Sequence, residues 1–245
     1  MNLIFQYYIP YEANDVRKGG ATIPNWAKAG SRSAQEYAEK TGAEYMLSQE
    51  RHFPHLDPRL DSLRLIYDES YDKYDKILCI DLDILLKTDE NIFDFEIGDI
   101  AMVHEVGIFN NSAGNWIKRV MDVPGYQRGI IAYGKSIFGE DWMFPKSTLY
   151  PQERFRYMNG GVQLWSREGR QKARKHFTCV DDYYTRTRQT EQMYINLQLS
   201  NPVFEVTELD QSWNSIATRQ WCPSSPRGKF QHFINDARFV MESFV

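Results

Sequence analysis

Bulky apolar residues open the chain. Asn2 to Ile9 carries Leu3, Ile4, Phe5, Tyr7, Tyr8 and Ile9 and stops at Pro10, which predicts a β-strand. The period then changes. Trp26, Gly30, Ala34, Tyr37 and Ala38 recur at steps close to a helical turn, with Pro24 and Asn25 ahead of them and Gly42 just after. That spacing predicts an amphipathic helix with start and stop signals. Glu44 to Leu47 reads as a second strand, and residues 60–68 as a helix with Leu60, Leu63, Ile66 and Tyr67 on one side. Lys76 to Leu86 is the strongest strand signal in the chain. Strand, helix, strand, helix, strand is the order of an α/β sheet with parallel strands.

A further strand is expected at Ile100 to Val103. Residues 106–156 show no clear period and hold Asn110, Asn111, Pro124, Gly125, Gly129, Gly134, Gly139 and Pro145. So long an irregular stretch reads as a substrate-binding excursion that sets acceptor choice. Asn159, Gly160 and Gly161 read as a turn leading into a strand that runs to Trp165. Helices are expected around 167–177 and 190–199, and a short strand at Phe230 to Phe233.

With 245 residues the chain can bury a large core without disulfide or metal staples. Lys plus Arg number 29 and Asp plus Glu 33, a net charge of −4 that disfavours a general nucleic-acid coat. No run of about 18 apolar residues is present, so no conventional membrane span is expected. Met1 to Gln6 lacks a basic stretch followed by a long apolar one, so no secretory leader is read. Cys79, Cys179 and Cys222 are too far apart for a CxxC metal pattern and odd in number, which points to a reducing, cytoplasmic setting. Trp116, Trp142 and Trp213 are candidates to stack on an acceptor sugar, against core packing as the plainer role.

Two carboxylates interrupt the apolar run from Lys76 to Leu86, at Asp81 and Asp83. Aspartate is unfavourable inside strands, and a buried carboxylate without a partner is costly. Side chains at i and i+2 of an extended chain point the same way, so the pair can converge on one cation. Hard divalent ions prefer such oxygen ligands and bridge them to substrate phosphates. The pair also falls near the carboxyl end of its strand, where open α/β sheets bind ligands. The plainer alternative is an edge strand whose acids face water. His52 and His55 resemble a metal pair, but Pro54 between them and the lack of a local carboxylate argue against a zinc site.

The segment from Ile77 to Leu85 resembles the D-x-D strand of the GT-A nucleotide-sugar glycosyltransferases, in particular the family-8 type that includes glycogenin and bacterial lipopolysaccharide galactosyltransferases. Further segments follow in that family's order. Arg64, 17 residues before Asp81, matches a helical arginine that contacts the nucleotide sugar. Tyr157 to Val162 is similar to the F-N-A/S-G-V stretch that lines the donor sugar. Leu209 to Asn214 falls where the family has its L-P-x-x-W/Y-N stretch, Glu191 to Asn196 resembles the D-Q-D-x-x-N helix start, and Gln231 to Arg238 resembles the C-terminal H-F-x-G-x-x-K-P-W motif, whose His completes the metal site. The likeness spans about residues 2–240. There are departures: Glu191 stands for the family's Asp, Asn235 for a Gly and Arg238 for the Lys, and the first strand lacks the family's Asp.

The resemblance implies a single GT-A domain over 1–245, a Rossmann-like α/β fold with a mixed central sheet. Residues up to about 104 would form the nucleotide-binding half and those from about 105 the acceptor-binding half. It implies transfer from a nucleotide-diphosphate sugar, with UDP favoured, to the hydroxyl of a glycan or other acceptor, with retention. Asp81, Asp83 and His232 would hold Mn²⁺ or Mg²⁺. Arg64, Asn159, Gly160, Arg238, Gln6 and Tyr8 would contact the donor, and Gln192 and Glu191 would stand at the reacting carbon. Two alternatives stay open: a haloacid-dehalogenase-like phosphatase, with Asp81 as nucleophile, and a non-catalytic sugar-nucleotide-binding domain. Against the phosphatase, Ile84 and Leu85 follow Asp83 where Gly-Thr is expected, and the pair lies far from the start of the chain.

Overall fold

The computed structural model describes residues 1–9, 22–105, 124–151, 155–217, 228–241 and 243. Trp116, Cys222 and residues 106–123 of the irregular region lie outside the described residues. Strand β1 (Leu3–Tyr7), helix α1 (Asn25–Thr41) and strand β2 (Glu44–Ser48) follow the expected order. Gly42 ends α1 in the left-handed conformation at φ 67°, where a glycine costs least. A 3₁₀ turn (Pro58–Leu63) and the four-residue helix α2 (Arg64–Tyr67) stand where one helix was predicted.

The run from Lys76 to Leu86 is not one strand. It divides into β3 (Lys76–Ile80) and β4 (Ile84–Leu86), with Asp81, Leu82 and Asp83 in the turn between them. The i, i+2 alignment therefore does not apply, and the acids are brought together by a turn. Beyond it lie β5 (Ile100–His104), helix α3 (Pro124–Phe138), β6 (Met158–Ser166), helices α4 (Arg167–His176), α5 (Val180–Thr187) and α6 (Glu191–Gln198), β7 (Val206–Leu209), β8 (Ser215–Ala217), β9 (Phe230–Phe233) and α7 (Arg238–Met241). Part of the region predicted to be irregular is thus α3. Its Gly134 serves packing: a Cβ there would fall 2.2 Å from the Trp142 ring.

Six strands form a mixed sheet in the order β2-β1-β3-β6-β5-β7, and three form a small sheet in the order β4-β9-β8. The β1–β2, β1–β3 and β5–β7 pairs are parallel, while β6 runs antiparallel to both its neighbours. Alternation along the strands assigns the two faces. Ile100, Met102, Met158 and Trp165 pack with Tyr133, Ala173, Tyr183 and Tyr194 of helices α3 to α6. Ala101, Val103, Leu78 and Ile80 pack with Ala34, Tyr37 and Ala38 of α1 and with Trp213 and Phe230. Trp142 and Trp213 are both buried in these cores.

Asn159, Gly160 and Gly161 lie within β6 rather than in a turn before it. They form a bulge: Met102 pairs with Gln163 but His104 pairs with Met158, so two steps on β5 face five on β6. A bulge removes ladder partners from backbone groups, which must then find others.

Candidate active site

The β6 bulge, the turn after β3 and the small sheet meet at one place. Asp81 N–H donates to the Gly161 carbonyl at 3.0 Å, extending the β3–β6 ladder by one bond. The Asp83 carbonyl instead accepts from Phe233 N–H of β9 at 2.7 Å. Between them, Leu82 presses its carbonyl on α1 so closely that a Cβ on Gly30 would fall 1.9 Å from it. Helix α1 therefore needs glycine at position 30 to support the acidic turn.

His232, central in β9, points its Nε2 at both acids, 3.1 Å from Asp83 Oδ1 and 3.7 Å from Asp81 Oδ2. Arg238 Nε donates to the other Asp83 oxygen at 2.6 Å, and its guanidinium lies over the Trp26 ring. Asp81, Asp83 and His232 can offer ligand atoms within 4.8 Å of one another. Among the described residues no other group of His, Cys, Asp and Glu does so. His55 pairs with Asp181, and His52 sets its ring edge-on to Phe53.

The acids differ electrostatically. The Asp81 side chain is 43% exposed and that of Asp83 3%. Loss of hydration and the neighbouring Asp83 push the Asp81 carboxyl up. Burial acts the same way on Asp83, but the His232 ring and Arg238 outweigh it and hold that carboxyl below its ordinary range. Burial lowers His232, yet Asp83 and Asp81 together outweigh it, so the net direction is up.

Side chains take over the backbone groups freed by the bulge. Gln192 Oε1 accepts from Gly160 N–H at 2.9 Å, Asn159 Oδ1 accepts from Gly161 N–H at 2.8 Å, and Gln163 Nε2 donates to the Gly160 carbonyl at 2.8 Å. Gly160 and Gly161 do not adopt positive φ among the described glycines. They are small for space instead: a Cβ on Gly161 would lie 2.5 Å from the His232 ring, and one on Gly160 would lie 3.2 Å from Gln192.

No protein-family model matches the chain, and no curated protein matches it in sequence. Among solved structures it is similar to a glycosyltransferase involved in the glycosylation of the major capsid of PBCV-1. The identity is 11%, over 99% of this chain and 98% of that one, with a TM-score of 0.52. It is likewise similar to mouse xyloside xylosyltransferase 1 in its apo form, at 14% identity over 97% of this chain and 99% of that one, TM-score 0.52. The chain has the GT-A fold.

Within this GT-A frame the other predicted residues take distinct places. Arg64 is buried and turns its guanidinium to Ser48 Oγ and, at 2.6 Å, to the Glu50 carbonyl, so it braces the segment after β2. Gln6 is fully buried; it donates to the Asp81 carbonyl at 3.2 Å and accepts from Tyr45. Tyr8 donates to the Thr22 carbonyl and packs with Leu82 and Ala27. These last two stand behind the acidic turn. Glu191, first in α6, has a buried Oε2 with no hydrogen-bond partner among the described residues. Burial and the nearby Asp81 push its carboxyl up to about 8.

Two residues of this cluster escaped the sequence reading. Glu105 follows β5, and its Oε2 accepts from Gln192 at 2.6 Å and from Asn159 at 3.3 Å. Its position just past a predicted strand's carboxyl end was the available signal. Asn214, which accepts from His232 Nδ1, carried none beyond lying in the 209–214 stretch.

Proposed function

We propose that the protein is a metal-dependent glycosyltransferase that moves a sugar from a nucleotide-diphosphate donor, a UDP-sugar, to an acceptor hydroxyl with retention. The observation that carries this reading is the convergence of Asp81, Asp83 and His232 at the seam of two sheets in a GT-A fold. The central antiparallel strand β6 and this likeness favour transfer over the phosphatase alternative.

The residues fit a divalent cation. Two carboxylates and one imidazole are a donor set suited to Mn²⁺ or Mg²⁺. The half-exposed Asp81 leaves the group open to a ligand, and Asp83, ionised in its buried place by Arg238 on one oxygen, turns the other toward His232 and the same point. When bound, the ion would act as a Lewis acid on the departing diphosphate.

The chain's own groups act around that point. The planar fork of Arg238 suits a diphosphate oxygen. Arg64, Gln6 and Tyr8 shape the nucleotide side by holding the segments behind it. Asn159 and Gly160 line the sugar, and Gln192 is fixed beside them by Gly160 and Glu105. With its carboxyl near 8, Glu191 is mostly protonated at neutral pH, which suits it to donate a hydrogen bond to a sugar hydroxyl rather than to attack. Residues up to about 104 serve the nucleotide and those from about 105 the acceptor. The free thiols of Cys79 and Cys179 suit a cytoplasmic setting.

The test is turnover of a panel of nucleotide sugars, with Mn²⁺ and with EDTA. Metal-dependent release of UDP supports the reading. Phosphate release from simple phosphomonoesters would support the phosphatase instead, and binding without turnover a non-catalytic domain.

A further inference from the structure

Tyr7 ends β1, and the sheet register sets it beside the acidic turn. β1 and β3 run parallel, with Leu3 next to Ile77 and Phe5 next to Cys79. Two residues on, the same register brings Tyr7 next to Asp81, and neighbours in register face the same side of a sheet. Phe5 and Tyr7 stack, with ring centroids 6.5 Å apart and 19° between their planes. The Tyr7 hydroxyl donates to the Arg59 carbonyl at 3.2 Å. Arg59 belongs to the 3₁₀ turn Pro58–Leu63, which packs against α6. The ring is thus held by its face at one end and by its hydroxyl at the other.

A second phenol comes from the other side of β3. Tyr157 is buried just before β6, and β3 lies between β1 and β6 in the sheet. Burial pushes both phenols well up, and the carboxyl of Glu191 adds to each, so Glu191 stands near both rings. Its Oε2 is buried there without a hydrogen-bond partner among the described residues. A polar atom enclosed between two aromatic rings marks a narrow recess. It has room for a hydroxyl to pair with the carboxyl and little for anything larger.

We propose that Tyr7 is a specificity-determining residue: its ring walls the recess at Glu191 on the β1 side, so that a donor sugar bearing only hydroxyls enters and one bearing an acetamido group is shut out. The inference rests on the reading above for the donor itself and names the class of sugar it carries. The selecting element is the bulk of the ring. The hydroxyl, spent on the Arg59 carbonyl, keeps the ring from swinging aside.

The experiment is titration calorimetry of the full chain in Mn²⁺ with UDP-glucose, UDP-galactose, UDP-xylose, UDP-N-acetylglucosamine and UDP-N-acetylgalactosamine, with UDP alone as the reference. Wild type is expected to bind the best of the plain sugars at least about 10-fold tighter than either acetamido sugar, the discrimination a steric wall commonly gives. In Tyr7→Ala that ratio should fall by about 10-fold. Tyr7→Phe keeps the ring, so its ratio should stay much closer to wild type than that of Tyr7→Ala. A purely structural role for Tyr7 would weaken all five donors alike and leave the ratio where it was. A wild type that binds the acetamido sugars as tightly as the plain ones overturns the proposal. So does a folded Tyr7→Ala with the wild-type ratio, or a Phe variant as permissive as the Ala one. Should Tyr7→Ala not fold, the wild-type ratio and Tyr7→Leu, which keeps an apolar contact for Phe5 but shortens the wall, decide. A chain that binds neither UDP nor any of the five sugars refutes the donor reading and this inference with it; one that binds UDP and takes all five alike refutes this inference alone.

Discussion

Asp81 and Asp83 are two residues apart and belong to different sheets. Asp81 is an extension of the six-stranded sheet, held through Gly161 of β6; Asp83 is held by Phe233 of the three-stranded one. The larger sheet is sustained by its own ladders and by a core on each face. The smaller has strands of only three, three and four residues, too short to stand alone. It is kept in place by α1, by its apolar contacts and by the charges that Arg238 and His232 direct at Asp83. The open acid thus sits on the rigid body and the buried, ion-paired acid on the dependent one. A cation held by both would pin the second to the first.

The strongest way to break this contrast is to neutralise the dependent side. Asp83→Asn is expected to lower metal-dependent turnover by about 10³-fold or more, because a preorganised charge at the reacting centre is lost. The fold should survive, since Arg238 is half exposed and can turn to water. Donor turnover and circular dichroism check both halves; full activity would remove the metal argument.

Gly30→Ala attacks the wall behind the acids. The new methyl would meet the Leu82 carbonyl at 1.9 Å, a backbone atom with little room to yield. Overpacking of this kind costs about 1–3 kcal/mol. A thermal melt should show that loss, with Mn²⁺ binding weakened in the same variant.

A smaller effect tests the electrostatics on the large-sheet side. The Glu191 carboxyl is raised in the folded chain to about 8, so the folded state holds its proton longer than the unfolded one. Its contribution to stability is complete below the ordinary glutamate range and is lost as pH rises toward 8. In EDTA, denaturant titrations should show wild type losing stability relative to Glu191→Gln between pH 5 and 8. An opposite slope would contradict the burial of the Glu191 carboxyl. The smallest change is expected from His55→Ala: its pair with Asp181 is exposed, so Mn²⁺ binding should stay as in wild type.

The sequence carried the strands and helices whose patterns are long and bounded, such as α1 with its Gly42 stop and β3 with its apolar run. It merged β3 with β4 because three residues of turn between two apolar runs leave no trace in a period-2 pattern. It read Gly160 and Gly161 as a turn because glycine more often signals backbone freedom than the space a neighbouring ring needs. Helix α3 was hidden for the same reason, its Gly134 making room for the Trp142 ring. Asp81, Asp83 and His232 were legible as chemistry in unusual surroundings and through a resemblance. Glu105 and Asn214 were not, because a single carboxylate or amide shows its role only through what it touches.

The amide hydrogens of Gly160 and Gly161 are held by side chains, so the middle of β6 is only as stiff as Gln192 and Asn159 are. On the proposed reading, a sugar that drew either amide toward itself would compete with Gln192 or Asn159 for it. Donor binding and the order of the bulge would then be linked through those two side chains.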